Sequence, residues 1–109
     1  MKIYTEFHGQ IDSKDIGKKL RELVKKEKQT FKILTGYGST SNISKSKSAA
    51  IQSLKKMKKG GLIKGFIPGE IKFQVLSENS PFYEDKIKYQ NILKNDIDYG
   101  NEGIIYVIL

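Results

Sequence analysis

Cysteine is absent from this chain, and arginine and histidine occur once each, as Arg21 and His8. Without cysteine there is neither a disulfide scaffold nor a thiolate metal site. No apolar stretch is long enough to span a bilayer, and the opening MKIYTEFHGQ carries no export-type apolar segment. The expectation is a soluble cytoplasmic protein with no membrane partner. With a single arginine, the formal charge of +8 is carried by lysine. Lysine is a hydrated point charge that suits phosphate backbones better than bidentate reading of bases. The excess fits a nucleic-acid or anionic partner, and equally a well-solvated lysine-rich surface. At 109 residues the chain makes one domain with a modest core.

What is present reads as alternating strands and helices. KIYTEF alternates, placing Ile3, Thr5 and Phe7 on one face of a first strand. Asp12 and Asp15 resemble a capping arrangement, after which Ile16, Leu20, Leu23 and Val24 recur at helical spacing to about Glu27. TFKIL is a second strand. A second helix over about Ser44–Lys59 turns Ala50, Leu54 and Met57 inward and stops at Gly60-Gly61. LIKGFI is a third strand, turned by Pro68-Gly69, and IKFQVL either continues it or pairs beside it. Ser80 and Pro81 open a third helix with Tyr83, Ile87 and Leu93 on one side. The final IIYVIL reads as a strand buried on both faces, hence central. The expected fold is α/β: a two-layer sandwich with a strand-helix-strand-helix-strand-strand core over residues 1–109, and a helical insertion at about 70–96 before the last strand.

Three short motifs punctuate this order. TEFHG ends the first strand, TGYG follows the second, and GNEGIIYVIL closes the chain. They are similar, respectively, to the Leu-Asp-x-His-Gly, Thr/His-Gly-x-Gly and Gly-x-Thr-x-Val-x-Leu motifs of the Smr (small MutS-related) domain family. Each motif is short, and the ordered set covers almost the whole chain. The resemblance implies a fold similar to the C-terminal domain of a bacterial translation initiation factor. It also implies nucleic-acid binding of the DNA-repair, recombination or RNA-binding kind and, in several members, endonuclease (hydrolase) activity on DNA or RNA. Three departures bear on catalysis more than on binding: Glu6 stands where the family has Asp, Thr35 where some members have His, and Ile105 where Thr is usual.

Phosphodiester cleavage requires a deprotonated nucleophile, stabilised phosphoryl charge and a protonated or metal-bound leaving oxygen. His8 is the candidate acid/base, since imidazole titrates nearest neutral pH. Glu6, two residues earlier on the same strand face, would neighbour it, orienting the ring or holding a divalent metal such as Mg or Mn. A bare His-Gly or a lone strand Glu is also an ordinary surface feature. In the loop, Gly36 and Gly38 leave room for a ligand at the backbone, and the helix start offers free N–H groups. Ser39, Thr40, Ser41 and Ser44 add hydroxyls, Lys45 and Lys47 add charge, and Tyr37 could stack on a base. Neither a dinucleotide fingerprint nor a P-loop is present: Ser41 replaces the third glycine, and no Gly-Lys-Ser/Thr follows. A plain glycine turn remains the duller alternative. The lysines at Lys55–Lys59 are first a solvated helix end; nucleic acid touching both ends would run along that helix. Phe82, Tyr83 and Tyr89 read as core or docking residues. Three functions therefore stand open: an Smr-like endonuclease, a non-catalytic module for RNA, DNA or ribosomes, and an interaction protein whose insertion docks a partner.

Overall fold

Two apolar runs, FKIL and IIYVI, form the middle of a four-stranded mixed sheet, with three helices around it. The computed structural model describes residues 1–36 and 41–109, the side chains of 41–44 excepted. In chain order the elements are β1 (Ile3–Tyr4), α1 (Ile16–Lys26), β2 (Phe31–Leu34), α2 (Ser41–Lys59), β3 (Gly65–Pro68), α3 (Tyr83–Leu93) and β4 (Ile104–Ile108). The strand order is β1-β2-β4-β3. β1 runs parallel to β2, whereas β4 is antiparallel to both β2 and β3. The final strand is thus central, and all five of its residues are buried.

Alternation along β4 divides the core in two. Ile105 and Val107 join Phe7, Leu20, Phe31 and Leu54 under α1 and α2. Ile104, Tyr106 and Ile108 join Ile67, Ile71, Leu93 and Tyr99 on the other face. The insertion therefore covers the second face of the sheet, so the two-layer expectation gains a partial third layer. Phe82 and Tyr89 pack against these cores as expected.

Helix ends follow their local chemistry. Asp12 accepts a hydrogen bond from Lys14 N at 3.4 Å, opening a 3-10 turn at Ser13–Asp15 that leads into α1. At the end of α2, Gly61 takes φ +80°, and the N–H groups of Leu62 and Gly61 bond back to the carbonyls of Met57 and Lys58. This glycine-dependent closure satisfies the last carbonyls of the helix.

Three local expectations fail for tertiary reasons. The first strand stops at Tyr4: Ile3 is exposed, and residues 6–10 coil into turns that drive Phe7 into the core. IKFQVL is not a strand. The chain leaves the sheet at Pro68 and winds into a 3-10 turn, Gly69–Phe73, that buries Ile71 and exposes Phe73 and Val75. In α3, Ile87 is exposed, and the buried first-turn residue is Asp85. One Asp85 oxygen accepts Phe66 N–H of the edge strand at 3.1 Å and the other accepts Lys58 Nζ at 3.0 Å. A carboxylate here occupies an edge donor that would otherwise be open to another strand.

Candidate nucleic-acid interface

The strand directions gather the three motifs. Because β1 and β2 are parallel, the turn after β1 and the loop after β2 leave from the same end of the sheet. β4 starts at that end, with Ile104 opposite Leu34, and β3 finishes there, with Pro68 opposite Ile105. In open α/β sheets this carboxyl edge is where ligands sit.

The inner wall of this end is closed by backbone bonds. Thr35 is fully buried; its N–H and its hydroxyl both donate to Gly103 O, at 2.6 and 3.1 Å. The hydroxyl is therefore structural and not turned to a ligand. Gly103 N–H donates to Asn101 Oδ1 at 2.8 Å, and Gly69 abuts the Asn101 carbonyl so closely that a Cβ would lie 2.3 Å from it. The GNEG segment thus braces Thr35, at the end of β2. Gly36 is buried, while Tyr37, Gly38, Ser39 and Thr40 lie outside the described residues.

Of the charged candidates, Lys47 is committed. Its ammonium donates to Glu70 Oε1 at 2.6 Å and to the Glu102 carbonyl at 2.9 Å, clamping α2 to the segment that follows β3 and the one that leads into β4. Lys45 is exposed, in a shallow groove of about 330 Å³ with Lys14, Ser13, Ser48 and Gln52. No local pattern marks Lys14 as its neighbour, since the two meet only through the packing of the 3-10 turn on α2.

His8 is exposed on the turn at this end, with its N–H bonded to Thr5 O and that of Gln10 to Glu6 O. Residues 6–10 form turns, so Glu6 and His8 do not lie on one face of a strand as expected. Glu6 instead lines a groove along α1 with Ile11, Asp15, Lys18 and Glu22, and its Oε1 is shielded with no hydrogen-bond partner. Among the described residues no group of three or more histidines or carboxylates is placed to hold a metal ion.

No protein-family model, no curated protein and no solved structure matches this chain.

A second cluster of charge, missed by the sequence reading, lies on the insertion face. Lys32 of β2 reaches Asp96 and Asp98, both at 2.8 Å, and the Tyr106 hydroxyl donates to Asp96 at 2.7 Å. Burial, the largest influence, works to lower the Lys32 pKa, but the two carboxylates together raise it above its ordinary value. Burial also works to raise that of Asp96, yet the bonds from Lys32 and Tyr106 hold it below the ordinary aspartate value. The Tyr106 hydroxyl is pushed far up by burial and by Asp96, so it remains a donor. This network ties the chain after α3 to the sheet.

Proposed function

We propose that the chain is a nucleic-acid-binding domain of the Smr type, which takes a phosphate of DNA or RNA at the carboxyl end of β1 and β2. The observation that carries this reading is the parallel pairing of the two strands, which puts TEFHG and TGYG at one end of the sheet. Support also comes from Thr35 and Gly103, which tie the third motif to the same end. The core order, strand-helix-strand-helix-strand and a final central strand, is the basis for proposing a fold like that of the C-terminal domain of a bacterial translation initiation factor.

Binding is the part best supported. The basic chain supplies the long-range attraction. Helix α2 begins directly beyond the loop, and its first turn favours an anion. For cleavage, the exposed His8 is the acid/base on hand. The test is incubation of the purified chain and its His8→Ala variant with end-labelled single-stranded RNA, structured RNA and supercoiled DNA. Mg²⁺, Mn²⁺ or a chelator is added in parallel. Product from the native chain that vanishes in the variant makes the domain an endonuclease. Salt-reversible binding without product makes it a binding module. Neither binding nor product refutes both.

A further inference from the structure

The outward side of α2 carries lysines and no acid. The helix carries six lysines and neither Asp nor Glu. Its inner side is fixed by buried Ser46, Ala50, Leu54 and Met57. Opposite these, Lys45, Ser48, Gln52, Lys55, Lys56 and Lys59 fall within an arc of about 100°, and all six are exposed. The other two lysines, Lys47 and Lys58, are the paired ones: Lys47 with Glu70 at 2.6 Å and Lys58 with Asp85 at 3.0 Å. Among the described residues Lys45, Lys55, Lys56 and Lys59 form no ion pair.

Solvation alone does not account for this pattern. A helix surface selected only for solubility gains from acids three or four residues from its lysines. Neighbouring α1 has such an acid, Glu22, four residues from both Lys18 and Lys26. In α2 the spacing is adverse, with Lys55 four residues and Lys56 three residues before Lys59. The helix dipole favours cations in the last turn, but it gives no support to Lys45, nearer the start. The stripe also has a groove at each end. Lys45 shares the first with Lys14. In the second, of about 440 Å³, Lys55, Lys58 and Lys59 surround Phe66 and Pro81.

We propose that this face is a track for a phosphodiester backbone, running from Lys14 and Lys45 beside the motif-bearing end to Lys55, Lys56 and Lys59 at the far end. Ser48 and Gln52 donate uncharged hydrogen bonds between the two lysine groups. At 1.5 Å per residue the stripe from Lys45 to Lys59 is about 21 Å long. The ligand is therefore a nucleotide polymer and not a mononucleotide. The proposal takes its nucleic-acid class from the function proposed above, whereas its geometry stands on α2 and on Lys14 packed beside it.

The test is fluorescence anisotropy with a labelled DNA duplex of about 20 base pairs and a single-stranded RNA of about the same length, across a salt series. The native chain is compared with Lys55→Gln/Lys56→Gln/Lys59→Gln, whose fold is checked by thermal melting, and with Lys18→Gln/Lys25→Gln/Lys26→Gln on α1. The α2 variant is expected to bind at least about tenfold more weakly at low salt, and its slope of log affinity against log salt to shrink by about 2 to 3. The α1 variant is expected to lose clearly less. Equal losses from the two variants would assign the effect to net charge and overturn the track. Native-like binding by the α2 variant would overturn the track and leave the motif-bearing end standing. No binding by the native chain would overturn both proposals. Displacement by polyglutamate as effective as by unlabelled duplex at equal charge would overturn the nucleotide assignment.

Discussion

Replacing Lys32 with methionine isolates the charge that ties the insertion to the sheet. The side chain is only 6 % exposed, and methionine keeps its length and apolar stem while removing the ammonium. Two carboxylates then remain, with Asp96 15 % and Asp98 28 % exposed and no cation between them. Breaking a buried pair from one side costs about 3–5 kcal/mol. Water reaches Asp98, so the expectation lies at the lower end, about 3 kcal/mol. In urea, followed by far-ultraviolet circular dichroism, the midpoint should fall by about 1–3 M. Adding Asp96→Asn should recover part of the loss, because the pair is then removed from both sides. A Lys32→Met midpoint within about 0.3 M of native would refute the reasoning.

The same network sets a pH window. Asp96 is held below its ordinary value near 3.8, so its contribution is full above that value and is lost as pH falls through the depressed one. Lys32 is raised above its ordinary 10.5, so its contribution is full below that value and is lost as pH rises through the raised one. Stability from this cluster should hold between about pH 4 and 10 and decline on either side. In Lys32→Met the acid-side decline should flatten, as read from urea midpoints across pH.

Two further substitutions probe the second face and the motif-bearing end. Asp85→Ala should cost about 2 kcal/mol or more in a urea titration, because it strands Phe66 N–H as well as Lys58, and Asp85→Asn should cost less by keeping an acceptor. Gly69→Ala places a Cβ 2.3 Å from the Asn101 carbonyl, with backbone on both sides of the contact, and should cost about 2 kcal/mol or more, read as a lowered melting temperature.

Elements whose pattern and burial agree were legible in the sequence. The unbroken IIYVI run marked a central strand because both of its faces are covered, and the 3.6-residue spacing of Ala50, Leu54 and Met57 marked the inner side of α2. Where a distant contact overrides local pattern, the reading failed. IKFQVL alternates like a strand, but the chain is steered away at Gly69 by Asn101, some thirty residues later. Asp85 stands in the first turn of α3, where no local pattern marks it for burial, yet it is buried as the acceptor of an edge-strand N–H. The convergence of TEFHG and TGYG depended on strand direction, which no single motif encodes. The segment expected to carry Glu6 and His8 on one strand face is a turn, from which Phe7 enters the core. The grooves beside α2 arise from packing between elements, so only their lysines, and not their walls, could be read beforehand.

The most direct measurement is a titration of ¹⁵N-labelled protein with unlabelled nucleic acid at low salt, followed by amide chemical shifts. Binding at the motif-bearing end and along α2 should perturb residues 5–10, 35–36 and 101–103, together with Lys45, Ser48, Gln52, Lys55, Lys56 and Lys59. Shifts confined to the insertion at 70–96, or no shifts at all, would contradict it.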